Sequence, residues 1–212
     1  MKTLYTLIFT FLFLGTLSIR TAAAAPCCGD DDTYEGYIVT LDGKKLTGQI
    51  GEIFFSDEIS VVLFINDFGT PYHLQAELIT GFVYEKEDEL IEYESLSKGK
   101  NQAWSFLKVM HRGAVLSLFK SPEEKTQFTI TASENDMSMT SRTVNIDEYW
   151  LKFKGERSFK LGKLGYKRKL KQQLQAYPAI AKKIGKTGYK FQDMEQIVEE
   201  VNKIYRLKKR TL

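Results

Sequence analysis

Two histidines are the only imidazoles in the 212 residues, and each has neighbours that invite a chemical reading. His73 alternates with Gln75 and Glu77, and an i, i+2, i+4 spacing brings the three to one face of a strand. Such a face could offer metal ligands. A zinc site needs three or four nitrogen or sulfur donors, however, and only the imidazole qualifies comfortably, so a solvated strand face explains the trio more simply. His111 precedes Arg112-Gly113, which is turn chemistry, and no nucleophile is placed to use it as a base. Glu92 and Glu94 face the same way on a strand. They would suit glycoside hydrolysis if they flanked a cleft, but charges facing water are the commoner cause of that pattern. Asp30-Asp31-Asp32 gathers the hard oxygens calcium prefers, without the alternating positions and distant Glu of an EF-hand loop. Gly185-Lys186-Thr187 copies the end of a phosphate-binding loop, yet Ile180 stands where its first glycine belongs and a helix precedes it. These motifs assign no catalytic residue, no metal ligand and no cofactor.

The charge distribution says more. From Ala25 to Tyr149 the chain carries 22 acidic and 10 basic residues, and from Trp150 to Leu212 it carries 5 acidic and 18 basic. An acidic front and a basic back imply two surfaces with different partners, or two parts that attract each other. The candidate binding residues are Lys163, Lys167, Arg168, Lys169 and Lys171 on one helix, followed by Lys182, Lys183 and Lys186. They could meet an anionic envelope component, such as a polymer or a lipid headgroup layer, or an acidic protein. A solvated helix face balancing the acidic part is the bland alternative. Nucleic acid fits the charge but not the compartment, and no aromatic-interleaved recognition motif accompanies the lysines.

That compartment is read from the first residues. Lys2, an apolar run from Leu4 to Leu17 and the small residues Thr21 to Ala25 form a secretory signal peptide, with cleavage expected after Ala24. The run is too short for a stable membrane span, which needs about 20 apolar residues. The protein is therefore expected to be exported, to the periplasm or cell envelope or beyond, with no transmembrane span in the mature chain. Cys27 and Cys28 are adjacent, so they cannot staple a fold by closing a loop. Cys27 is a candidate for lipid attachment, although Pro26 stands where that pattern wants a small residue. An oxidised pair is the alternative.

The elements that position these residues follow from periodicity. Tyr37, Val39 and Leu41 share one face of a strand, Asp42-Gly43-Lys44 turns, and Leu46, Ile50 and Ile53 return. Ile59 to Ile65 is apolar on both faces, the mark of a buried strand. Alternation continues through Tyr72, Phe82 to Tyr84 and Ile91 to Tyr93 around an acidic turn at Glu87-Asp88-Glu89. A hairpin of Trp104–Met110 with Ala114–Phe119 and further short strands follow, up to Phe159 and Leu161. The period then becomes helical. Tyr166 to Ala176 is a basic helix with Leu170 and Leu174 inward, Pro178 opens a short helix that Gly185 closes, and Asp193 caps a final one. Ile197, Val198, Val201, Ile204 and Tyr205 form the apolar stripe of that last helix, and Arg206 to Arg210 is expected to fray.

Gly36 to Ile50 resembles the opening hairpin of a group of secreted Bacteroidetes proteins. These start, after a signal peptide, with a strand, a Gly-Asp-Thr turn and a second strand holding a Gly-x-Ile. The likeness extends to Ile79–Phe82, to Gly113–Phe119, and to Tyr189 with Asp193, Ile197, Val198 and Asn202, while Gly43-Lys44-Lys45 departs from the usual turn. It implies an exported protein with strands followed by helices, and it implies no activity.

The expected protein is α+β: an antiparallel β-rich barrel or sandwich followed by a basic C-terminal helical region. The expected segments are a signal peptide at 1–24, an acidic leader at 25–33, a β-rich body at 34–161 and a helical cap at 162–212. The expected function is a non-enzymatic binding or scaffolding module of the cell envelope that uses the basic helical surface. The alternatives are a carboxylate-dependent hydrolase of envelope carbohydrate or peptide, and a barrel that binds a small ligand.

Overall fold

Alternating apolar residues build a succession of antiparallel strands, and a computed structural model describes residues 33–56, 59–97, 103–122, 124–133, 136–145 and 147–210. The expected signal peptide, Cys27, Cys28 and the Asp30–Asp32 cluster lie outside the described residues. In chain order the strands are β1 (Tyr34–Thr40), β2 (Lys45–Phe55), β3 (Ser60–Asn66), β4 (Pro71–Gln75), β5 (Ile79–Lys86) and β6 (Glu89–Ser97). Then come β7 (Trp104–His111), β8 (Leu116–Lys120), β9 (Glu124–Ser133), β10 (Asp136–Asn145), β11 (Glu148–Phe153) and β12 (Phe159–Gly162). Ten of them form one antiparallel sheet in the order β12-β11-β8-β7-β6-β5-β1-β2-β3-β4, and β9 and β10 pair separately. The α+β expectation holds, with one open sheet in place of a closed barrel.

That sheet is strongly curled. Gly36 on β1 faces Gly48 on β2. A Cβ at either would come within 2.2 Å of a carbonyl oxygen of the next strand, Val83 or Ile65, so only glycine lets the strands approach this closely. Irregular register between Ile50 and Ile53 bends β2 further. The curl brings β3 back towards β7, five ladder steps away, where the Phe106 N–H donates to the Ser60 hydroxyl at 3.3 Å. Ala76 bridges the same gap, donating its N–H to the Ser60 carbonyl at 3.0 Å and accepting from the Ser95 hydroxyl. Serines span this gap without a backbone ladder, so the sheet stays open. Inside the curl lie Ile38, Ile50, Val62, Phe64, Ile79, Phe82 and Phe106, with the Phe82 ring 4.9 Å from Tyr93 and 5.0 Å from Phe106.

The same sheet continues into β8, β11 and β12, whose Leu116, Leu118, Leu151 and Leu161 are covered by helices. These are α1 (Tyr166–Gln173), the single-turn α2 (Pro178–Ala181) and α3 (Met194–Arg210), the last entered through a 3-10 turn at Phe191–Asp193. α1 stops at Gln173, short of the expected Ala176. Tyr177 precedes Pro178, which disfavours a helical backbone there, and it takes an extended φ of −124°. The 3-10 turn shifts the last helix start past Asp193, whose carboxylate accepts the Lys190 N–H at 2.9 Å. Met194, Ile197, Val198 and Val201 on α3 and Tyr166, Leu170 and Leu174 by α1 complete the core. Helices and sheet thus share one apolar cluster, and burying each of its large side chains contributes about 1.5–3 kcal/mol. The helix also continues through Arg210, where fraying was expected, with Ile204 packed on that core.

One polar residue fastens the layers together. Asn202 is 0 % exposed and its carbonyl oxygen accepts from Val115 and Leu116 N–H at 3.0 and 3.1 Å. Its amide donates to the Leu116 carbonyl at 2.8 Å and to Val198 at 2.9 Å. Gly113 leaves room for it, since a Cβ there would sit 2.1 Å from the amide nitrogen.

Candidate functional site

The stretch from Lys163 to Gln192 contains nine lysines and arginines and not one acidic residue. α1 turns Tyr166 and Leu170 into the core, so helical geometry sends Lys167, Arg168, Lys169 and Lys171 outward, and all four are exposed. Lys163, on the turn before the helix, and Lys182 and Lys186, after α2, are exposed too. The Lys167 stem lies against Gly185, where a Cβ would come within 2.9 Å of it, so α1 and the loop after α2 present adjoining cations. The Lys169 ammonium stands 5.9 Å from the Phe159 ring centroid.

Lys183 is different. It donates to the Tyr189 hydroxyl at 2.8 Å and pairs with Glu200 at 2.9 Å, while Tyr189 donates to the same carboxylate. The Tyr189 and Glu200 bonds hold its ammonium pKa above the ordinary lysine value. Tyr189, above all, and Lys183 hold Glu200 below the ordinary carboxylate value. This clasp ties the loop after α2 to α3. Of the eight candidate cations, Lys183 alone meets a carboxylate among the described residues. Leu164 sits amid the others on the turn into α1, 99 % exposed, a feature the charge pattern did not reveal.

The remaining candidates fall elsewhere. Glu92 and Glu94 do share a face, but both are engaged by Arg112, at 2.5 and 2.7 Å, and Glu94 also meets Lys152 at 3.0 Å. The carboxylates raise the Arg112 pKa, with the Glu92 hydrogen bond contributing most. The pair is a cross-strand ion network. His73 is exposed on β4 opposite Leu63, and His111 ends β7. Among the described residues no three His, Cys, Asp or Glu side chains gather at a metal-binding distance. The loop at Gly185 closes on itself, its N–H donating to the Tyr189 carbonyl at 2.8 Å.

Two cavities among the described residues lie away from the helical layer. A polar groove of about 580 Å³ crosses β1, β2 and β3 and contains Glu35, Thr47, Gln49 and Asp67, all exposed. Thr47 donates to Asp67 at 2.8 Å. A second pocket, of about 520 Å³, opens at the mouth of the curl between β1, β2, β3, β4 and the start of β5. Ile38, Phe64, Leu74 and Ile79 line it, and the rim carries Leu46, Phe68, Tyr72 and Leu78. The strand alternation reveals that these residues share a face, but the mouth itself is a product of the curl. Against protein-family models, curated proteins and solved structures the chain has no match.

Proposed function

We propose that the protein is an exported, non-enzymatic binding module that docks on an anionic surface of the cell envelope through its helical layer. The observation that carries this reading is the acid-free run from Lys163 to Gln192, whose apolar side is consumed by the core and whose cations, apart from the clasped Lys183, are left facing outward. Each Lys or Arg near an anionic membrane surface contributes roughly 1 kcal/mol. Leu164 supports a lipid headgroup layer over a soluble acidic protein, because an exposed leucine flanked by cations suits the apolar-polar boundary of a bilayer. A lipid on Cys27, if attached, would supply the second anchor that stable attachment needs.

Co-sedimentation with phosphatidylglycerol-containing vesicles, against phosphatidylcholine alone, tests the reading. Binding is expected to the anionic vesicles only. Reversing Lys167, Arg168 and Lys171 to Glu should weaken it by roughly a hundredfold or more. Among the described residues none of the three pairs with a carboxylate, so the unfolding midpoint should hardly move. Equal retention of the reversed variant would remove the basic face from the account.

A further inference from the structure

We propose that the mouth of the curled sheet binds the aliphatic chain of a single-chain amphiphile. A cavity of about 520 Å³ lies within the range of pockets that hold one small molecule. Its inner wall is hydrocarbon and aromatic ring: Ile38, Phe64, Leu74 and Ile79. Most polar groups beside that wall are already engaged within the chain, the Tyr72 hydroxyl and the Asn66 side-chain NH2 being the exceptions among the described residues. The Thr40 hydroxyl donates to Asp42 and accepts the Lys44 N–H at 3.0 Å. The Asn66 side-chain oxygen accepts Phe68 and Thr70 N–H at 3.0 and 2.9 Å, and Asp67 takes the Thr47 hydroxyl. Lys45 donates to the Tyr37 hydroxyl at 3.2 Å, its ammonium over that ring.

A sugar or a peptide backbone entering here would give up its hydrogen bonds to water and find few in return, which costs about 1–3 kcal/mol per unpaired group. A hydrocarbon chain gives up nothing of that kind and gains the burial. The rim favours the same occupant, because Phe68 is 93 % exposed and Leu46 and Leu78 are half-exposed beside the opening. Apolar side chains held at the edge of an apolar pocket lengthen the contact with a chain longer than the pocket is deep. The site does not depend on the lysines of the helical layer, so the two readings stand or fall separately.

The test is fluorescence titration with N-phenylnaphthylamine, an uncharged apolar probe, at high salt, followed by displacement with dodecanol. Saturable uptake of one probe per chain is expected, reversed by dodecanol. Leu46→Arg and Leu78→Arg, both at partly exposed positions, should each weaken uptake by roughly tenfold or more, and Leu74→Trp should fill the pocket and block it. Leu207→Arg, an exposed apolar site on α3, should leave uptake unchanged. Circular dichroism and unfolding midpoints separate loss of the site from loss of the fold. The proposal is overturned by non-saturable uptake, by equal uptake in the rim variants, or by failure of dodecanol to compete. Sedimentation showing a dimer that Leu46→Arg dissolves would also overturn it, because a second copy of the chain would then be the occupant.

Discussion

Asn202 concentrates more structural information than any other side chain described, because four hydrogen bonds converge on a residue with no exposed surface. Asn202→Ala would orphan the N–H groups of Val115 and Leu116 inside the helix–sheet seam. Each buried, unsatisfied group costs about 1–3 kcal/mol, so a loss of roughly 2–5 kcal/mol is expected in urea unfolding. A loss below about 1 kcal/mol would mean that water takes over the asparagine's bonds. The sequence marks the residue only as a polar position next to Val201 in an apolar stripe, and nothing local shows that its partners lie 86 and 87 positions upstream. The turn between β5 and β6 is the opposite case. Glu87 and Asp88 hold φ of 53° and 63°, a left-handed conformation that suits glycine or asparagine better. Asp88→Gly relieves that strain and removes one of three adjacent acidic charges. It should raise stability by about 0.5–1 kcal/mol, and a lower melting temperature would show that the aspartate contributes something beyond the turn.

At the scale of elements, the last helix does more than its composition suggests. The basic tail from Arg206 reads as solvent-exposed, yet α3 runs unbroken to Arg210, and the Lys208 ammonium stands 5.7 Å from the Tyr177 ring centroid. Truncation before Lys203 removes two helical turns and the packed Ile204, so a loss of about 1–3 kcal/mol is expected. An unchanged unfolding midpoint would make the tail dispensable. The clasp of Lys183, Tyr189 and Glu200 joins the same helix to the preceding loop and gives it a pH signature. Because its partners favour the charged carboxylate, Glu200 titrates in the folded state below its ordinary value near 4.5. A depressed carboxylate pKa stabilises the fold above the unfolded-state value, and the contribution fades as pH falls through the folded-state value. Glu200→Gln should therefore lower the melting temperature by roughly 1–3 °C at neutral pH, a modest effect for a partly exposed pair. The gap should narrow as the pH falls below the ordinary carboxylate value and through the lower folded-state value. A gap unchanged from neutral pH down to the acid limit of the fold would place the effect elsewhere than in the charge.

For the molecule as a whole, local pattern and long-range geometry separate cleanly. Alternation at Tyr37 to Leu41, the turn at Asp42-Gly43 and the apolar stripe from Ile197 onward are local signals, and strand and helix identities follow from them. The insertion of β1 between β5 and β2, the curl set by Gly36 and Gly48, and the bridging by Ser60, Ala76 and Ser95 depend on pairings between separate strands, which periodicity cannot encode. The basic face was accordingly legible, since charge on a helix needs only the helix. The apolar mouth was not, since it exists only once the sheet bends. This difference predicts how one protein sample should respond to salt. Raising ionic strength from about 0.1 M to about 1 M shortens the Debye length from roughly 10 Å to roughly 3 Å, which screens exposed cations from an anionic surface. Apolar transfer is not weakened in this way, and strongly excluded salts such as sulfate strengthen it. Vesicle binding through the helical layer should therefore fall more than tenfold across that range, while N-phenylnaphthylamine uptake at the mouth stays level or rises. If the two fell together, the probe would be reporting the charged face, and the curl of the sheet would hold no site of its own.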